Sequence, residues 1–98
     1  MKESEILHEL EQIAEKLHVQ VCHVNLKKYS YNSKSGLCKV KGEYKIIVDS
    51  HLHLSEKIDV LVDGLQNFEM HDMPLHPRIK HLFKKRSRED ILKKAENN

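Results

Sequence analysis

The sequence predicts an α+β domain: a three-stranded, largely antiparallel sheet, one strand followed by a hairpin, with an N-terminal helix and C-terminal helices packed on one face. Three observations predict it. Apolar residues recur at the helical period near both ends of the chain, and two β-rich runs in the middle meet at Lys41-Gly42. The chain has 98 residues, 39% of them hydrophobic, and a chain of this size buries only about 60–70% of the surface its unfolded form exposes, enough for one core.

The first helix rests on Ile6, Leu7, Leu10, Ile13, Ala14 and Leu17, which share one face. Ser4 is its expected N-cap, and Glu5, Glu9 and Glu11 lie toward the positive end of its dipole. Val19 to Leu26 is β-rich and apolar on both alternating sets, Val19/Val21 and Cys22/Val24/Leu26, so this strand is expected to be covered at least partly on both faces. The following Lys27 to Gly36 has no apolar period and is expected to be an exposed loop.

Leu37 to Val40 and Tyr44 to Val48 form the hairpin. A two-residue turn at Lys41-Gly42 would set Val40 opposite Glu43 and Cys38 opposite Lys45, apolar against charged. An odd connection, or a bulge at Gly42, pairs Val40 with Tyr44 and Cys38 with Ile46, and a slip of one residue turns every side chain over. The pattern therefore predicts the odd connection, with Cys38, Val40, Tyr44, Ile46 and Val48 on one buried face.

Ser55 is the expected cap of a second helix with the stripe Ile58, Leu61, Val62, Leu65 and Phe68. Gly64 inside it costs about 1 kcal/mol relative to Ala, which points to a close approach to the sheet or a bend. Met70 to His76 breaks that helix, and Pro77 suits the first position of a third, carrying Ile79, Leu82 and Phe83. Residues 1–86 are expected to form the compact domain and residues 87–98 a basic, partly helical or frayed tail.

The net charge of +2 is unevenly placed: residues 1–77 hold nine Lys/Arg and twelve Asp/Glu, residues 78–98 eight and three. Acids in MKESEILHEL stand where an export signal has a basic and then apolar stretch, and no apolar run nears the roughly 20 residues that span a bilayer. A cytoplasmic protein without a membrane partner is expected. Cys22 and Cys38 are then expected as reduced thiols, and two cysteines are too few for a structural zinc ribbon.

The run Gly36-Leu37-Cys38-Lys39-Val40-Lys41-Gly42, with the apolar strand, amphipathic helix and Pro77-Arg78-Ile79 that follow, resembles small uncharacterised bacterial proteins. Their pattern is Gly-Leu-Cys-basic-aliphatic-basic-Gly, a strand ending in Asp, a helix, and a Pro-x-x-Pro-x-x-Arg-like segment, whose two prolines are matched here by Pro74 and Pro77 while Arg78-Ile79 stand where it has Val-Arg. The resemblance spans roughly residues 5 to 83 and implies no activity. In layout the chain is also similar to minimal zinc-peptidase-like folds, whose chemistry needs His-Glu-x-x-His on a helix, two imidazoles gripping the metal beside a general base. The nearest stretch, His8-Glu9-Leu10-Glu11-Gln12, has Gln for the second His and lies on the wrong helix, while the second helix reads Asp63-Gly64-Leu65-Gln66-Asn67.

Eight histidines invite a metal reading. Asp49, His51 and His53 in one connection and His71, Asp72 and His76 in another would take a divalent metal if the two meet in space. His76 and His81, five residues apart, would face different sides of a helix. Arg78, Lys80, Lys84, Lys85, Arg86 and Arg88 form a basic segment suited to nucleic-acid phosphates, set against its plain reading as a solvated helix face. Lys39 and Cys38 point to opposite faces of their strand, so the thiol reads as packing rather than a nucleophile. With no phosphate loop, paired carboxylates or nucleophile-base spacing, no catalytic residue and no cofactor is assigned. The expected role is protein interaction or oligomerisation, with another protein or a second copy as partner.

Overall fold

A computed structural model describes residues 1–28 and 35–96, with side chains through Ser87. The order is α1 (Glu3–Lys16), β1 (Gln20–Val24), a 3-10 turn (Leu26–Lys28), β2 (Gly36–Val40), β3 (Glu43–Asp49), α2 (Leu54–Leu65) and α3 (Pro77–Glu96). The α+β class and the helix-covered sheet match the expectation. Most of the predicted loop, residues 29–34, lies outside the described residues. The third helix passes Ser87 without a break and continues to Glu96.

Helix α1 buries Ile6, Leu10, Ile13 and Ala14, the face its spacing predicts. Its N-cap is Lys2 rather than Ser4, with extended backbone and Glu3 and Glu5 in the first turn. At the other end His18 takes a left-handed φ of 61°. His18 N–H donates to Glu15 O at 3.1 Å and Val19 N–H to Ala14 O at 2.8 Å, the paired bonds of a Schellman motif. That turn delivers Val19 into the core, 3% exposed, and starts β1.

The sheet order is β1-β3-β2. β2 pairs antiparallel with β3, but β1 pairs parallel with it, so the sheet is mixed rather than largely antiparallel. The hairpin register is also corrected. Val40 pairs with Glu43, Lys39 with Tyr44 and Cys38 with Lys45, around a two-residue turn. Lys41 (φ 51°) and Gly42 (φ 84°) both have positive φ, the signature of a type I′ turn, whose twist matches that of the flanking strands. The pairing of charged with apolar residues is tolerated for two reasons. Leu37 supplies the apolar neighbour of Ile46, and Lys39 lays its ammonium over the Tyr44 ring, 5.2 Å from the centroid, a cation–π contact.

Tyr44, Ile46 and Val48 of β3 face the helices, joined by Val21 of β1 and Leu37 of β2. Ile46 and Val48 are fully buried in one core cluster with Leu10, Leu61 and Leu65; each such side chain contributes about 2 kcal/mol. Helix α2 begins at Leu54, one residue before the expected cap. His53 is its N-cap, and the Glu56 carboxylate accepts the His53 N–H at 3.1 Å, the returning half of a capping box. Pro77 opens α3 as predicted, and α3 joins the same layer through fully buried Ile79. Phe68 meets Tyr44 edge-on at 5.1 Å.

Candidate functional site

Three of the six proposed metal ligands, Asp49, His53 and His76, serve local structure. Asp49 Oδ1 accepts the His51 N–H at 3.1 Å, an Asx turn that leads the chain out of β3. His53 caps α2. His76 caps α3: its Nδ1 accepts the Arg78 N–H at 3.0 Å. His71 and Asp72 are exposed in the turn between the last two helices. Among the described residues no three His, Cys, Asp or Glu side chains gather into a group able to hold a metal ion.

The basic residues divide. Arg78, Lys80, Lys84 and Lys85 are exposed on α3. Arg86 is half-buried and forks onto Asp63 of α2, Nε to Oδ1 and Nη2 to Oδ2, the latter at 2.6 Å. That bidentate pair straps α3 to α2. Arg88 belongs to α3, but its side chain is not among those described. A second pair, His23 Nε2 with Glu11 Oε1 at 2.6 Å, ties β1 to α1.

All three helices lie on one side of the sheet. The corrected register therefore assembles a set on the other face that sequence reasoning did not group. Cys22 and Val24 of β1, Lys45 and Ile47 of β3, and Cys38 and Val40 of β2 all point away from the helices. None of these apolar side chains belongs to the core cluster or packs against it. Cys22, Val24, Cys38 and Ile47 are half-buried, and Val40 is 44% exposed. Both cysteines are free. Cys38, expected buried against Ile46, instead lies beside Lys45 because the even turn reverses its direction.

Charge runs along the middle of this face. Glu43, Lys45 and Asp49 alternate with Ile47 down β3, the acids toward the two ends. Each outer strand pairs only with β3 among the described residues, leaving backbone groups at both edges. The signal for this face was present in the second alternating set of β1, Cys22 and Val24. It was hidden by the odd-turn reading of the hairpin, which moved Cys38 and Val40 into the core.

No helix among the described residues is long and apolar enough to cross a membrane. No family model, curated protein or solved structure matches the chain.

Proposed function

We propose that the protein is an interaction module that self-associates through the open face of its sheet. The observation that carries this reading is the apolar set Cys22, Val24, Cys38, Val40 and Ile47, which no described element covers. Water contact with such a face is unfavourable, and a second copy offers the same surface.

Charge selects the arrangement. Two sheets facing each other across a two-fold axis parallel to the strands would set Lys45 on Lys45 and Glu43 on Glu43. An axis perpendicular to the strands, lying between the sheets and crossing β3 at Ile47, sets Ile47 on Ile47. Lys45 of each copy then stands opposite Asp49 of the other. Opposite charges favour this second, antiparallel stacking. Strand spacing and rise give the face roughly 250 Å², well below the about 800 Å² per partner of a stable interface. The dimer is therefore weak and tuned by concentration.

The register supplies a specific test. Cys22 shares the row of Ile47, so the two Cys22 thiols lie opposite one another across the about 10 Å between packed sheets; Cys38, in the row of Lys45, is offset from its copy. A bismaleimide with a spacer of about that length is expected to cross-link the wild type and Cys38→Ser, but not Cys22→Ser. Light scattering should show mass rising with concentration toward about 0.5 mM. A monomer throughout that range overturns self-association, and cross-linking that requires Cys38 instead of Cys22 overturns the arrangement.

A further inference from the structure

A separate groove runs between the C-terminal end of α2 and the middle of α3. It is an open surface groove of about 780 Å³, lined by Gln66, Met70, His81, Phe83, Lys84, Lys85 and Ser87. Its apolar surface is the outer side of Phe83 and Met70, both half-buried and both packed inward on the core. Lys84 and Lys85 stand three and four residues after His81 on α3, so the two ammonium groups and the imidazole share one wall of the groove, with the positive charge on the lysines. Among the described residues no carboxylate lines the groove. Lys84 and Lys85 have no ion-pair partner among the described residues, whereas nearby Arg86 is already engaged by Asp63.

We propose that this groove binds an acidic peptide segment carrying an apolar anchor, with the anchor against Phe83 and Met70 and its carboxylates beside Lys84 and Lys85. The charge of the wall sets the sign of the partner, and the apolar surface favours a peptide over a nucleic acid. Single-stranded nucleic acid is held by exposed aromatic faces on which bases stack, but Phe83 shows only part of its ring. An amphipathic acidic helix satisfies both features at once, since its anchors recur on one side and its acids flank them. This site lies on the helical layer and is independent of self-association through the sheet.

The test is fluorescence anisotropy with a labelled peptide of about 12 residues, Glu-rich with Leu and Phe at helical spacing. Saturable binding is expected, weakening as salt rises. Lys84→Glu with Lys85→Glu should weaken it by at least about tenfold. Lys39→Glu with Lys41→Glu makes the same change of charge on the hairpin and should leave it within about twofold. Met70→Gln, checked for an unchanged melting curve, should also weaken it. No binding, equal loss in the hairpin variant, or tighter binding of a single-stranded oligonucleotide of matched charge would each overturn the proposal.

Discussion

A methyl group at Gly64 would stand 2.8 Å from Cδ1 and 3.1 Å from Cγ1 of Ile46, so α2 lies on the central strand with no space for a side chain there. Ile46 is fully buried and pinned between Val21 and Leu37. The close approach anticipated from a glycine inside a helix is thus its reason for being there.

Gly64→Ala sets a helix-propensity gain of about 1 kcal/mol against overpacking that costs about 1–3 kcal/mol. The expected net loss is about 1 kcal/mol in urea unfolding. Ile46→Val removes the clashing Cδ1, so the double variant should be more stable than the two single losses predict. Strict additivity would mean that the contact carries no strain.

The turn at Lys41-Gly42 places a non-glycine residue at φ 51°, a conformation that Asn adopts more readily. Lys41→Asn should raise stability by about 0.5 kcal/mol and Gly42→Ala should lower it by about 1 kcal/mol, measured by thermal unfolding. A destabilising Lys41→Asn would contradict the type I′ assignment.

His18 holds the left-handed position that ends α1. His18→Gly relieves its Cβ and is expected to add about 0.5–1 kcal/mol. The gain should appear as a higher denaturant midpoint with an unchanged slope.

Asp63 and Arg86 join α2 to α3 while partly open to water, with side chains 41% and 28% exposed. Screening limits the pair to about 1 kcal/mol. Asp63→Asn should therefore leave the melting temperature nearly intact while speeding amide exchange in α3. Arg86→Lys should not restore protection, because an ammonium lacks the guanidinium fork. Uniform exchange throughout the molecule would show that the pair has no local strapping role.

In the self-associated form, Lys45→Glu places like charge against Asp49 of the second copy and should weaken dimerisation by about tenfold. Adding Asp49→Lys should recover most of it. Ile47→Asp should abolish the dimer while changing monomer stability by no more than about 1 kcal/mol. Sedimentation equilibrium separates these outcomes, and failure of the double variant to recover would refute the antiparallel stacking.

The helices could be read from the chain because their information is local. Ile6, Leu10 and Ile13 share a face by spacing alone, and Pro77 can open a helix but not continue one. The hairpin could be located but not registered, since alternation gives each strand two faces without saying which neighbour aligns them. Counting apolar pairs favoured the odd turn; the backbone twist at Lys41-Gly42 and the Lys39–Tyr44 contact favoured the even one. The candidate metal residues were visible as residue types, but the occupation of Asp49, His53 and His76 as caps and turn acceptors was not.

By itself the sequence determined the class of the domain, its helical stripes, its turn positions and the basic charge of its C-terminal helix, all of which depend on neighbours within a few residues. Tertiary structure alone decided that β1 lies parallel to β3, and that Cys38 and Val40 turn away from the core to join Cys22, Val24 and Ile47. It also decided that Arg86 is held by Asp63 while Lys84 and Lys85 line a groove. Those outcomes depend on pairing between distant segments, where many registers cost similar local energy and only packing of the whole core selects one.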